Sequence, residues 1–210
     1  MKTVIFDFDG TIADSFDYVA DFLTSEAGLA PMNDGQKLAL RGLSMAAMAR
    51  HLGYGWWRLP RLFVKGRHRM GRAIEKLQPF EDMTGIIKEL NTEGYKLFMV
   101  SNNSTGNLQL FLRHNKLSKY FSKIYGGVGL FGKAPVLRRL LKEHGLDKQN
   151  VIYIGDELRD IEAAQSVGIR VVAVRWGFAR SADLLALKPT AVADTPGELM
   201  AIINRLSKQS

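Results

Sequence analysis

The chain contains no cysteine. Disulfides and thiolate metal sites are thereby excluded, and the composition is compatible with a reducing cytosol. Nowhere does it hold a run of about 18 uncharged apolar residues, so no membrane span is expected. At the N-terminus, Met1-Lys2-Thr3-Val4-Ile5-Phe6-Asp7-Phe8-Asp9, acids interrupt the apolar residues at once, and the pattern of a secretory signal is missing. The expected location is cytoplasmic. Internal repeats, low-complexity tracts and flexible linkers are also lacking.

Acid is absent from one long stretch. Between Arg41 and Arg72 lie Arg41, Arg50, Arg58, Arg61, Lys65, Arg67, Arg69 and Arg72 without a single Asp or Glu, and this segment alone accounts for the net charge of +8. Such a charge favours anionic partners.

What is present suits a globular fold: 210 residues at 46% hydrophobic can bury a full core and carry an insertion. Val4 to Phe8 is a short apolar run that ends in acids and glycine, the pattern of a buried strand delivering polar residues to a loop. Leu97 to Val100 ends likewise in Ser101-Asn102-Asn103-Ser104, Val151 to Ile154 ends in Gly155-Asp156-Glu157, and Arg170 to Val174 reads as a further strand. Helical patterns fall between them at Thr84 to Glu93, Leu108 to Asn115, Pro135 to His144 with proline at the first helical position, Ile161 to Val167 closed by Gly168, and Pro196 to Leu206. This alternation predicts an α/β fold, a parallel sheet with helices on both faces. Ligands of such sheets bind beyond the carboxyl ends of the strands, which would gather Asp7, Asp9, Ser101 and Asp156 in one crevice.

Residues 17–78 break the alternation and read as helices alone, with turns at Gly28, Pro31 to Gly35 and Gly53 to Gly55. In the helix that starts near Pro60, Leu62, Phe63, Gly66, Met70, Ala73, Ile74 and Leu77 fall on one side at about 100° per residue. Arg61, Lys65, Arg69, Arg72 and Lys76 occupy a wedge of roughly 80° on the other. The basic stripe has three readings: a solvated face, a sensor for a second anionic group of a substrate, or a docking patch for nucleic acid or an acidic membrane. Tyr54, Trp56 and Trp57 beside it add slightly to the docking reading, while aromatics at such spacing more often form the insertion's own small core. His51 and His68 lack the partners a metal site needs and receive no catalytic role.

Two aspartates spaced by one residue at a buried strand end repel each other unless a cation sits there. Oxygen-only ligands suit a hard ion such as Mg²⁺.

Asp7-Phe8-Asp9-Gly10-Thr11-Ile12-Ala13-Asp14-Ser15 resembles the first motif of the haloacid dehalogenase-like hydrolases, close to their phosphoglycolate phosphatase-like branch. Ser101 resembles the second motif, Lys133 the third, and Gly155-Asp156 with Asp160 the fourth, all in order along the whole chain. Ala134 stands where the family usually has proline, which here is Pro135. The resemblance implies a Rossmann-like core of residues 1–16 and 79–210, and a helical cap at 17–78 that closes over the site and selects the substrate.

The expected activity is Mg²⁺-dependent hydrolysis of a small phosphate monoester through an aspartyl-phosphate. Phosphate esters repel anions, so an aspartate nucleophile needs a metal and a lysine to neutralise them. Asp7 is the expected nucleophile. Asp9, on the same side of an extended strand, serves as acid to the leaving oxygen and then as base to water; the resemblance implies that it meets the metal through its backbone carbonyl. Ser101 and Asn102 bind the phosphoryl oxygens, and Lys133 supplies positive charge. Asp7, Asp9 and Asp156 form the expected metal set. Asp160 holds Lys133 or a metal-bound water, or caps the following helix. Glu157 either supports the metal from outside its ligands or is an exposed loop residue. Thr11 either supports the nucleophile loop or donates to phosphate.

A dehalogenase would need neither Mg²⁺ nor an acid at Asp9, and a phosphomutase would share every core residue. From another class, a nucleic-acid-binding relative with a vestigial site conflicts with so costly a cluster of acids, so nucleic acid is not the expected partner. The substrate's identity and the oligomeric state stay open.

Overall fold

The computed structural model describes residues 2–43, 45–129 and 132–208, with the side chains of Met45 and Phe63 also outside the described set. Strand β1 (Thr3–Phe6) is followed by four helices, α1 (Phe16–Glu26), α2 (Asp34–Leu40), α3 (Met45–His51) and α4 (Leu59–Ala73). Alternation then resumes with α5 (Met83–Thr92), β2 (Lys96–Val100), α6 (Thr105–His114), β3 (Phe121–Tyr125), α7 (Lys133–Glu143), β4 (Val151–Gly155) and α8 (Leu158–Val167). The chain closes with β5 (Arg170–Val174), α9 (Ser181–Ala186), β6 (Ala191–Ala193) and α10 (Leu199–Ser207).

The six strands form one parallel sheet in the order β3-β2-β1-β4-β5-β6. From β1 the chain winds outward through β2 and β3, then crosses to β4 on the other side, so the switch in winding direction lies between β1 and β4. That is where open α/β sheets bind ligands. Register levels the strand ends there: Phe6 pairs with Met99 on one side and Ile154 on the other, and Asp7 N–H continues the ladder to the Ile154 carbonyl at 2.9 Å.

β1 is buried throughout and alternates between two cores. Val4 and Phe6 join a cluster with α5, α6 and α10, while Ile5 joins one with α7, α8 and α9. Both faces are thus covered, as the apolar runs required. Phe8, just past the strand, packs edge to face on Phe111 with ring centroids 4.8 Å apart. Each such ring contributes about 1.5–3 kcal/mol by leaving water.

β3 and β6 have no counterpart in the apolar runs: β3 lies at the sheet edge with Ser122 and Lys123 exposed, and β6 has only three residues. Two helix starts also differ from expectation. Lys133, not Pro135, begins α7, so the proline is its third residue. Leu158 begins α8, because Glu157 and Asp160 form a reciprocal capping box that adds a turn before Ile161. Asn33 accepts from Gln36 N–H at 2.9 Å, which turns the expected loop at Asp34-Gly35 into the start of α2.

The segment between β1 and β2 is helical, as expected, and its two connections to the sheet run side by side. Asp14 N–H donates to the Gln78 carbonyl at 3.1 Å and Phe80 N–H to the Ile12 carbonyl at 2.9 Å, with Ala13 and Pro79 forming an antiparallel bridge. In α4, Leu62 and Met70 are buried and Arg61, Lys65, Arg69 and Arg72 are exposed. Phe63's side chain lies outside the described set. Lys76 leaves the stripe, since α4 ends at Ala73 and a 3₁₀ turn follows. Lys65 and Arg69 both pair with Glu26 of α1, so part of the stripe ties the helices to each other. Tyr54 is buried and bonds the Leu23 carbonyl, whereas Trp56 and Trp57 are 75% and 67% exposed and do not form the expected core. No helix among the described residues is long and apolar enough to cross a membrane.

Candidate active site

The expected residues converge at the carboxyl ends of β1, β2 and β4. Lys133 is their electrostatic centre: 3% exposed, its Nζ lies 2.8 Å from Asp7 Oδ2 and 2.5 Å from Asp160 Oδ1. Burial alone would lower its pKa, but Asp160 and Asp7 outweigh it and hold the ammonium charged. The capping box gives Asp160 a second duty, since its Oδ2 accepts the Glu157 N–H at 3.1 Å. Tyr153 donates to Asp160 Oδ1 at 3.2 Å from beneath. The lysine-holding and helix-capping readings therefore coexist in this side chain.

Asp156 is fully buried and held from two sides. Thr11 Oγ1 donates to its Oδ1 at 2.8 Å, and Phe178 N–H donates to its Oδ2 at 2.8 Å. The one hydroxyl hydrogen of Thr11 is thus committed to Asp156, which is the loop-supporting geometry and not that of a phosphate donor. Glycine is required beside it: a Cβ at Gly10, whose φ is +78°, would stand 2.3 Å from Asp156 Oδ2, and one at Gly177 would stand 2.2 Å from Asp156 Cβ.

Ser101 is 1% exposed; its Oγ accepts the Asn103 N–H at 3.0 Å, which leaves its hydroxyl hydrogen to donate. Asn103 Nδ2 donates to Asp9 Oδ2 at 3.2 Å, and Asp9 Oδ1 has no hydrogen-bond partner among the described residues. Glu157 is buried and pairs with Arg159, which corrects the exposed-loop reading. With its amide oxygen turned toward that guanidinium, Asn102 accepts from Arg159 Nη1 at 2.8 Å. Asn103 and Arg159 went unassigned in the sequence, although Asn103 lies in the polar segment that ends β2 and Arg159 stands next to Asp160; their signal was position alone.

Asp7, Asp9, Asp156, Asp160 and Glu157 face Lys133 and Arg159, so acids outnumber bases. Burial raises Asp7 to about 7, against the pull of Lys133, and lifts Asp156 well above the carboxylate range. Burial raises Asp9 as well. Oxygens of Asp7, Asp156 and Asp160 lie within 4.8 Å of one another. A buried, all-oxygen group with surplus negative charge fits a hard divalent cation.

Helices α1 and α4 roof the site. A cavity of about 70 Å³ is bounded by Tyr18, Phe22, Gly66 and Arg67 above and by Asp9, Asn103 and Arg159 below. A larger space of about 800 Å³ shares Arg67, Asn102 and Arg159 and reaches Lys133. Arg61, Lys65, Arg69, Arg72 and Lys76 line neither; Arg67 does, and its guanidinium has no carboxylate partner among the described residues.

Residues 4–174 match the haloacid dehalogenase-like hydrolase family. This chain belongs to that family. It is 32% identical to a phosphoglycolate phosphatase of Synechococcus elongatus over the full length of both chains, and 26% identical to one of Aquifex aeolicus over 97% of each. Its fold matches a haloacid dehalogenase-like hydrolase from Streptococcus pneumoniae, with a TM-score of 0.79 at 25% identity over 96% of this chain and 98% of the other. A predicted phosphatase from Clostridium acetobutylicum matches in fold with a TM-score of 0.80 at 20% identity, over 97% and 98%. Within the family this chain is an enzyme of the phosphatase type.

Proposed function

We propose that this enzyme hydrolyses a small phosphate ester bearing a second acidic group, with phosphoglycolate as the first candidate because the relatives above are named for it. The observation that carries the reading is Lys133 Nζ held between Asp7 and Asp160, which sets a fixed positive charge against the nucleophile. Asp7 attacks phosphorus while Ser101 and Lys133 bind the phosphoryl oxygens. Asp9, whose buried carboxyl retains a proton more readily than a free one, protonates the leaving oxygen and later accepts a proton from the attacking water. Asp7, Asp156 and the Asp9 carbonyl would hold Mg²⁺, which neutralises phosphoryl charge when bound. Asp160 keeps its oxygens on Lys133, Tyr153 and Glu157 N–H.

Arg67 and Arg159 face the space where a leaving group would lie. The guanidinium of Arg67 favours a carboxylate or second phosphate there, beside Arg159, whose charge Glu157 already pairs. Residues 17–78 act as the cap and residues 1–16 with 79–210 as the core, the boundary lying beside the Ala13–Pro79 crossing. A chain without cysteine is compatible with the reducing cytoplasm, where we place the enzyme.

Phosphate release from a panel of esters, with Mg²⁺ or EDTA, on wild type and Asp7→Asn tests this reading. Release that needs both Mg²⁺ and Asp7 is expected. Release by Asp7→Asn at the wild-type rate would overturn the mechanism.

A further inference from the structure

We propose that Asn107 makes proton delivery by Asp9 depend on seating of the helical cap; the inference rests on the roles just assigned to Asp9 and to residues 17–78. Asn107 stands in the first turn of α6, on the sheet side of the cleft, and is 6% exposed. Its Nδ2 donates twice: to the carbonyl of Arg67 in cap helix α4 at 2.8 Å, and to Asn103 Oδ1 at 2.9 Å. Asn103 Nδ2 donates in turn to Asp9 Oδ2 at 3.2 Å. One side chain thus touches both the cap's main chain and the residue that holds the acid.

The chain of amides has a direction. Asn103 Oδ1 accepts from Asn107 Nδ2 and also from Ser104 N–H at 2.9 Å, so its NH₂ is the end that meets Asp9. Without the Asn107 donor, one of two hydrogen bonds fixing that orientation is gone, and a flipped amide would set oxygen against the Asp9 carboxyl. When α4 lifts, the Arg67 carbonyl leaves and the buried Asn107 amide loses a partner it must then replace. A seated cap therefore orients Asp9, and a lifted one frees it.

The contact is also built from the cap side. Gly71, one helical turn beyond Arg67, lies so close to α6 that a Cβ there would stand 2.9 Å from Asn107 Oδ1. Alanine at this position is the better helix former, so it should separate α4 from α6 without weakening α4 itself. Asn107→Ala and Gly71→Ala disturb one contact from opposite sides.

The test compares kcat and KM of wild type, Asn107→Ala and Gly71→Ala, in Mg²⁺, on phosphoglycolate and on p-nitrophenyl phosphate. The first has a poor leaving group that needs a proton, while nitrophenolate departs without one. In both variants kcat/KM on phosphoglycolate, which reads the steps through departure of the leaving group and not the later hydrolysis shared by both esters, should fall about tenfold or more, with kcat/KM on p-nitrophenyl phosphate changed less than about threefold, as expected for partial loss of general-acid catalysis. Equal falls on the two esters, which lost fold or a purely structural contact would produce, or no change in either variant, overturns the inference. Wild type that hydrolyses neither ester overturns the phosphatase reading as well, and is told apart by that control.

Discussion

In EDTA at pH 8, replacing Asp7 by Asn should make the protein more stable. Folded Asp7 keeps its proton up to about pH 7, whereas the unfolded chain releases it near 3.8. Between these values the native state binds more protons than the unfolded state, so stability falls as pH rises and levels off above about 7. A shift of roughly three units at 1.36 kcal/mol each sets the full penalty on the order of 4 kcal/mol. Asn resembles the protonated side chain and escapes that penalty, which for a chain of this length is worth about 10 °C in melting temperature. The measurement is a thermal melt of wild type and Asp7→Asn in EDTA at pH 4 and at pH 8. The two should melt together at pH 4 and separate at pH 8, with the variant higher, and Mg²⁺ should raise wild type more than Asp7→Asn. A gap that is absent at pH 8, or equal at both pH values, would refute the reasoning.

Lys133→Met leaves Asp7 and Asp160 buried without their cation and should cost about 3–5 kcal/mol in urea unfolding at neutral pH; wild-type stability would show that the pair needs no compensation. Arg67→Glu should raise KM for an acidic ester far more than for an aryl phosphate. Arg61→Glu with Arg69→Glu should leave KM unchanged while loosening the α1–α4 contact through Glu26. Equal KM effects of Arg67→Glu on both esters would remove the substrate-sensing role of Arg67.

The central strands and the acids at their ends were legible because burial on both faces demands continuous apolar runs, and polar residues at the end of such a run have little structural reason to be there. β3 escaped notice since an edge strand needs only Phe121 and Tyr125 to point inward. The start of α8 was hidden by the capping box, in which Glu157 and Asp160 look like loop acids until their reciprocal bonds are seen. Periodicity found the two sides of α4 but not the residue that matters in the cleft. At about 100° per residue Arg67 falls just past the edge of the apolar side that is remote from the basic wedge, and only the docking of α4 on α6 turns it toward the site. Asn107 is invisible for the same reason, since its partners lie 4 and 40 residues away.

The paired crossing at Ala13 and Pro79 means that the helical segment enters and leaves the sheet domain at one point. The entropy cost of holding the two ends of such a segment together grows only slowly with its length, by about 0.6 kcal/mol per doubling. Changes of length between the crossings therefore fall on a segment whose two ends stay fixed against each other. On the division proposed above, the cap is in evolutionary terms a cassette attached to the core at a single joint.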